Sequence, residues 1–259
     1  MPDFHIAVSG LANAGKTIFI TQLISHLEYF KRGHFDLGPG RTITEVKHMS
    51  LAVPGVEPFP YEEARAHLLG RDPEWPPATR SVTGIRIEFT LVDEGAKFYQ
   101  RKHRHYGLEI YDFPGEMLGD VNLPDLSYDK WSEDTLRRLG DPTAPLSVAG
   151  TKYLPLLKDV NGMSHETLVG CFHDALELAL RHGARSVTPA AWIHTRDQRR
   201  HSIPLHFAPL PPDAPKALRE RCAEGFEDYR QWLAPLIQIF CRCDHHAILV
   251  DVLEILRDG

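Results

Sequence analysis

The stretch SGLANAGKT, residues 9–17, is where this sequence first gathers groups able to hold an anion. Gly10, four residues, and then Gly15-Lys16-Thr17 satisfy the spacing GxxxxGK(S/T). The glycines of such a loop let successive backbone N–H groups turn inward on phosphate oxygens. Amides of Asn13, Ala14, Gly15, Lys16, Thr17 and Ile18 would form the cradle, helped by the unpaired donors and positive dipole end of a helix that starts there. Lys16 is suited to reach the outer phosphates as a point charge, and the Thr17 hydroxyl is suited to magnesium. A turn that merely contains glycines accounts for neither Lys16 nor Thr17.

A second group of residues fits the same chemistry. LEIYDFPGE places Asp112 at the end of an apolar run, with Gly115 three residues on, and it matches the DxxG switch element of GTP-binding proteins. The carboxylate would hold magnesium through water, and the Gly115 N–H would sense a terminal phosphate. Asp251, which also ends an apolar run, competes for the acidic role and lacks the following glycine. TRSVTGIRIEF, residues 79–89, resembles the segment of heterotrimeric G-protein alpha subunits in which an arginine precedes a magnesium-binding threonine by three residues. On that likeness Arg80 is an arginine finger supplied in cis and Thr83 completes the metal shell, with Thr79 and Thr42 as alternative threonines. A cationic fork beside the reacting phosphate stabilises charge that develops only in the transition state. The plainer reading of Arg80 is a solvent-facing arginine before a strand. Glu116 stands where Ras-like proteins carry glutamine; it could orient the attacking water, but its charge opposes the terminal phosphate, so turnover should be slow. The catalytic set is therefore Lys16, Arg80 and Glu116, and the metal set Thr17, Thr83 and Asp112.

Positioning these groups requires particular elements. Phe4–Val8 reads as a buried strand and Thr17–Phe30 as a helix, which puts the glycine loop between strand and helix. Residues 31–82 are irregular and proline-marked, with one short helix at 61–69 closed by Gly70. Ile85–Leu91 alternates as a half-buried strand, and Tyr106–Tyr111 runs on to Asp112, so the two predict a long hairpin. Residues 116–242 are mostly helical. Within them lie an amphipathic helix at 165–182 entered at Ser164, a stiff PLPPDAP connection at 209–215, and a helix at 217–241 bent or broken at Pro235. Ala247–Val250 has the profile of a parallel strand covered on both faces. These elements predict an α/β fold, a P-loop, Ras-like core with a mainly parallel sheet and helical insertions. The core is 1–30, 84–115 and 244–259, with an irregular insertion at 31–83 and a mainly helical one at 116–243.

Composition sets the outer limits. The chain has 259 residues, 42% hydrophobic and 25% charged, as a globular protein would, and a formal charge of -6 that argues against a nucleic-acid partner. The basic stretches 101–105 and 196–201 are short and read as solvated loops. Four cysteines without a disulfide framework suit a reducing compartment, so a cytoplasmic location is expected. No apolar run approaches the roughly 20 residues of a membrane span, so no stable membrane insertion is expected. CRCDHH, residues 241–246, offers thiols and imidazoles, but its spacing is poor for zinc and favours cysteines packed at a helix end.

The stretches VSGLANAGKTIFITQLISHLE, YEEARAHLLGRDPEWPPATRSVTGIRI, LEIYDFPGE and CRCDHHAILVDVL together resemble the YcjX-like family of bacterial, stress-associated P-loop proteins with a Ras-like core. The resemblance implies GTP/GDP and Mg2+ as ligands, a cytoplasmic GTP-binding domain and an unknown protein partner reached through the helical insertion. It carries over Gly10, Gly15, Lys16, Thr17, Asp112 and Gly115, and then Arg80 and Thr83. Family members continue to an (N/T)KxD element whose aspartate pairs with guanine. Here the nearest likeness, Thr151-Lys152-Tyr153-Leu154, ends in leucine, so guanine selectivity rests on the resemblance and a truncated chain or fragment is expected. The resulting expectation is a slow, magnesium-dependent GTPase acting as a switch. An ATPase or small-molecule kinase, and a non-catalytic module propped up by nucleotide, are the alternatives.

Overall fold

A computed structural model describes residues 2–11, 13–30, 40–70, 74–76, 81–93, 102–184, 187–191, 193 and 203–250. The chain falls into two compact units, 1–115 with 238–259, and 116–237.

The first unit is built on a mixed sheet of six strands: β1 (Asp3–Gly10), β2 (Arg41–Met49), β3 (Glu57–Pro58), β4 (Thr83–Asp93), β5 (His103–Pro114) and β6 (His245–Ile248). Their order is β2-β4-β5-β1-β6, with β3 beside β4. β1 pairs parallel with β5 and β6, whereas β4 is antiparallel to both β5 and β2. The expectation of a mainly parallel sheet is therefore corrected. β4 and β5 are consecutive strands that meet as a hairpin, and a hairpin pairs antiparallel by construction. β2 corrects a second expectation, since it lies in a stretch that reads as irregular. Its burial does not alternate cleanly, and the register shifts between Thr44 and Lys47, beside Glu45 with φ 54. A bulge of this kind erases the period-two signal.

Two helices, α1 (Lys16–Glu28) and α2 (Tyr61–Leu69), belong to this unit. Ile20, Ile24 and Leu27 of α1 and Tyr61 of α2 share an apolar core with Val8, Ile85, Ile87, Leu108 and Ile110 of the sheet. Each such side chain contributes roughly 1.5–3 kcal/mol by leaving water. The α2 bounds match the sequence reading, since Gly70 ends the helix.

The second unit holds α3 (Tyr128–Gly140), α4 (Ser147–Tyr153), α5 (His165–Arg181) and α6 (Lys216–Arg242), the last of which continues past the unit's end. Ser127 and Ser164 cap α3 and α5, their hydroxyls accepting the N–H groups of Lys130 and Thr167. Trp131 lies at the centre of an aromatic core, 5.0 Å from Phe207 and 5.2 Å from Phe226 between ring centroids. The proline-marked segment is held from inside. Tyr128, Ser132 and Tyr153 donate hydroxyls to the carbonyls of Ala208, Leu210 and Pro209 at 2.8–2.9 Å. Helix α6 runs on through Pro235 instead of ending there. Leu233, Leu236 and Ile237 on either side are buried, which offsets the roughly 3 kcal/mol that a proline costs a helix interior.

Candidate functional site

The glycine loop begins where β1 ends at Gly10 and closes at Gly15, which precedes α1. Gly15 has φ 86 and Asn13 φ 66, a left-handed conformation that suits glycine and is tolerated by asparagine. The Ala14 N–H closes a turn on the Leu11 carbonyl at 3.2 Å. Helix α1 has no side-chain cap, so its first amides face the loop without one. Thr17 and Ile18 lie in that first turn.

Lys16 is only 4% exposed. Its Nζ donates to the Gly10 carbonyl at 2.7 Å and the Leu11 carbonyl at 3.1 Å. A buried ammonium needs such acceptors. Here the loop's own backbone supplies them, and the charge is held directly over the loop.

Strand register brings the other residues to the same end of the sheet. Asp112 stands level with Val8 of β1, and Pro114 level with Gly10. Thr83, the first residue of β4, is directly opposite Asp112. Adjacent strands lie about 4.8 Å apart, so loop, carboxylate and hydroxyl form one cluster. The Thr83 Oγ1 is buried and has no hydrogen-bond partner among the described residues. β3 fixes the backbone here, the Glu57 N–H donating to the Val82 carbonyl at 2.9 Å and the Phe59 N–H to the Gly84 carbonyl at 3.0 Å. Gly115 completes the cluster by close approach. A Cβ on it would lie 2.3 Å from both the carbonyl carbon and oxygen of Gly10, and 2.7 Å from the Leu11 nitrogen.

Thr42 does not join this group. Thr42 pairs with Val92, nine residue steps along β4 from Thr83, about 30 Å at the usual rise per residue. It is therefore at the far end of the sheet. Glu116 opens the second unit, in the 3-10 turn Gly115–Asp120, and is 7% exposed. Arg80, Thr79 and Asp251 lie outside the described residues. The CRCDHH cysteines diverge: Cys243 is buried and its Sγ donates to the Ile239 carbonyl at 3.4 Å, while Cys241 is exposed. Burial pushes the Cys243 thiol up to about 11, with nearby Asp244 and Glu109 adding to the effect.

Sequence reasoning missed Ser9. Its hydroxyl is fully buried beside the loop without a hydrogen-bond partner among the described residues, and only its place before the first glycine could have signalled it. It also missed a polar ladder across one face of the sheet, where Arg86 donates to Asp3 at 2.9 Å, Glu88 at 3.1 Å and Glu109 at 2.8 Å.

Together these features define an α/β protein with a mixed sheet in which a glycine loop joins a strand to a helix. The chain belongs to the YcjX-like family (DUF463), whose model matches residues 4–259. It is 33% identical over 134 residues to a protein of Escherichia coli (strain K12) named Ras-like GTPase YcjX, covering 49% of this chain and 29% of that one. A protein of Shewanella oneidensis with the same name is 28% identical over 157 residues, covering 52% of this chain and 30% of its own length. The matched part of the chain thus spans less than a third of either relative. Among the described residues no helix is long and apolar enough to cross a membrane.

Proposed function

We propose that this chain binds guanine nucleotide with magnesium on the 9–17 loop and contributes to slow GTP hydrolysis, the nucleotide acting as the signal of a stress-associated switch. The observation that carries this reading is the register that sets Thr83 opposite Asp112 beside the loop, with the Gly115 backbone against Gly10. The residues fit the ligands. Thr83 Oγ1 is a buried oxygen with no hydrogen-bond partner among the described residues, and Lys16 already sits over the loop on carbonyls that phosphate oxygens could replace. Thr17, Thr83 and Asp112 would hold magnesium, which when bound neutralises phosphate charge. Lys16 would hold the outer phosphates, Gly10 and Asn13 to Ile18 would line the cradle, and Gly115 would meet the terminal phosphate. Arg80 and Glu116 are the proposed partners of the reaction itself, one neutralising charge and one orienting water. The names of the relatives support GTP over other nucleotides. A protein partner engaging the 116–243 insertion, and action in the cytoplasm, belong to the same proposal.

Titration calorimetry with GTP, GDP and ATP, with and without magnesium, combined with a phosphate-release assay, tests this reading. Magnesium-dependent binding of guanine nucleotides with phosphate passed to water is the expected result. Tighter binding of ATP with phosphate passed to an acceptor would replace it with a kinase. Binding of no nucleotide at all would end it. Thr42→Val is the control, expected to leave nucleotide affinity unchanged because of its distance from the cluster.

A further inference from the structure

The first unit also holds a cavity of about 420 Å³, lined by none of the residues assigned above to nucleotide. It forms where two strands share one edge of β4. β3 pairs with Thr83 and Gly84, and β2 pairs from Arg86 onward. The chain leaves β2 at Met49 and enters α2 at Tyr61. The strands part at Gly84 and Ile85, which line the gap together with Met49 and Phe59. Phe59, Tyr61 and Ile85 are buried, whereas Met49 is 46% exposed. Methionine is unbranched and adapts to what it covers. The volume falls within the roughly 300–1,000 Å³ of small-molecule sites.

The formal charge of the lining is negative. Glu62 and Glu63, in the first turn of α2, line the cavity, and no lysine or arginine does. Their ion pairs are loose: Arg65 is 3.9 Å from Glu62 and His67 is 4.0 Å from Glu63, with the two carboxylate side chains 78% and 69% exposed. Exposed pairs of this kind contribute little, so both carboxylates can turn to a ligand. Two other polar lining groups are engaged elsewhere. His48 Nε2 lies 3.0 Å from Glu28 Oε1, and the Tyr61 hydroxyl donates to Glu28 and lies 3.0 Å from the Ser25 hydroxyl. An apolar wall beside two carboxylates favours a cation carried on an apolar body and repels an anion.

We propose that this cavity binds a free organic monocation of small size, its ammonium on the Glu62 and Glu63 carboxylates and its apolar body against Phe59 and Met49. The site stands apart from the nucleotide reading and is tested without nucleotide.

Phenethylammonium is the probe, with phenylacetate and phenethyl alcohol as anionic and neutral counterparts of similar shape. Isotope-labelled methionine methyls report the place of binding by NMR, since of the four methionines only Met49 lines the cavity. The amine is expected to shift the Met49 methyl resonance saturably, with roughly millimolar affinity for so small a ligand. The acid and the alcohol should bind at least about tenfold more weakly, because neither brings a charge to meet the carboxylates. Replacing Glu62→Gln together with Glu63→Gln changes only exposed side chains. It should weaken the amine about tenfold and leave the alcohol unchanged. Added salt should weaken the amine in the wild type and leave the alcohol unchanged. The proposal is overturned if no probe shifts Met49 saturably, if the acid or the alcohol binds as tightly as the amine, or if the double variant keeps wild-type affinity for the amine. Should the double variant not fold, the three probes and the salt series on the wild type decide alone.

Discussion

At the scale of single residues, Lys16 and Gly115 are decided by what surrounds them. Lys16 is buried with its ammonium on two carbonyls of the loop it would serve, so truncation removes both the loop's tie and the phosphate's counter-charge. Lys16→Ala is expected to weaken GTP binding by about two orders of magnitude, close to 3 kcal/mol, when measured by calorimetry. If hydrolysis is lost while a partner still binds, the chain acts as a nucleotide-stabilised module instead of a switch. Gly115 is constrained by space. The atoms a Cβ would meet are backbone atoms of Gly10, which cannot rotate aside as a side chain would. Gly115→Ala is expected to destabilise the first unit by about 1–3 kcal/mol and to weaken GTP binding at least tenfold, because the loop itself must shift. Unchanged affinity in this variant would mean that Gly115 and the loop move independently.

At the scale of elements, the sheet places the site by register and holds that register with charge as well as apolar packing. Gly107 leaves space where a Cβ would lie 2.1 Å from the Asp3 carboxylate, letting Arg86 reach across from β4 to β1. Arg86 is 20% exposed and faces three carboxylates. Arg86→Leu would leave these negative groups together without a cation, at a cost of about 2–3 kcal/mol in urea unfolding at neutral pH. The sequence makes the strand, loop and helix around residues 3–28 legible because apolar period, glycines and Lys16-Thr17 coincide there. It also makes α2 and α5 legible, through Gly70 and the Ser164 cap. β2 was hidden because a bulge breaks its alternation, and the sheet's mixed sense because strand direction depends on which strands become neighbours. The ladder of Arg86 was hidden for a related reason. Asp3, Arg86 and Glu109 are ordinary surface residues until three strands align them. Asp120 sits in MLGDVNL with no pattern around it, and only the packing of α6 and the 187–191 segment makes it a buried acid.

At the scale of the whole molecule, the buried Asp120 and the half-buried His173 of the second unit have effects on stability that oppose each other. Asp120 has its folded pKa raised to about 7 by burial, so its contribution is fully present below the unfolded value near 3.8 and is lost as pH rises toward 7. His173 is pushed down to about 4, also chiefly by burial; a backbone hydrogen bond with Leu205 and the neighbouring Asp174 pull the other way, and His206 adds to the fall. Its contribution is present above the unfolded value near 6.5 and is lost as pH falls toward 4. Between about pH 4 and pH 6.5 the folded unit thus holds one extra proton at Asp120 and lacks one at His173. The two slopes, each about 1.4 kcal/mol per pH unit and of opposite sign, cancel. In Asp120→Asn only the His173 slope remains, so stability should fall by up to about 3 kcal/mol on acidification from pH 6.5 to 4 relative to the wild type. Urea midpoints followed by the fluorescence of Trp131 and Trp232 measure this directly. Trp131 sits in the aromatic core of the second unit, and Trp232 stacks on Tyr229 at 5.5 Å between ring centroids, beside the group being titrated. Parallel pH profiles for the two proteins would show that Asp120 keeps an ordinary carboxyl pKa in the folded chain.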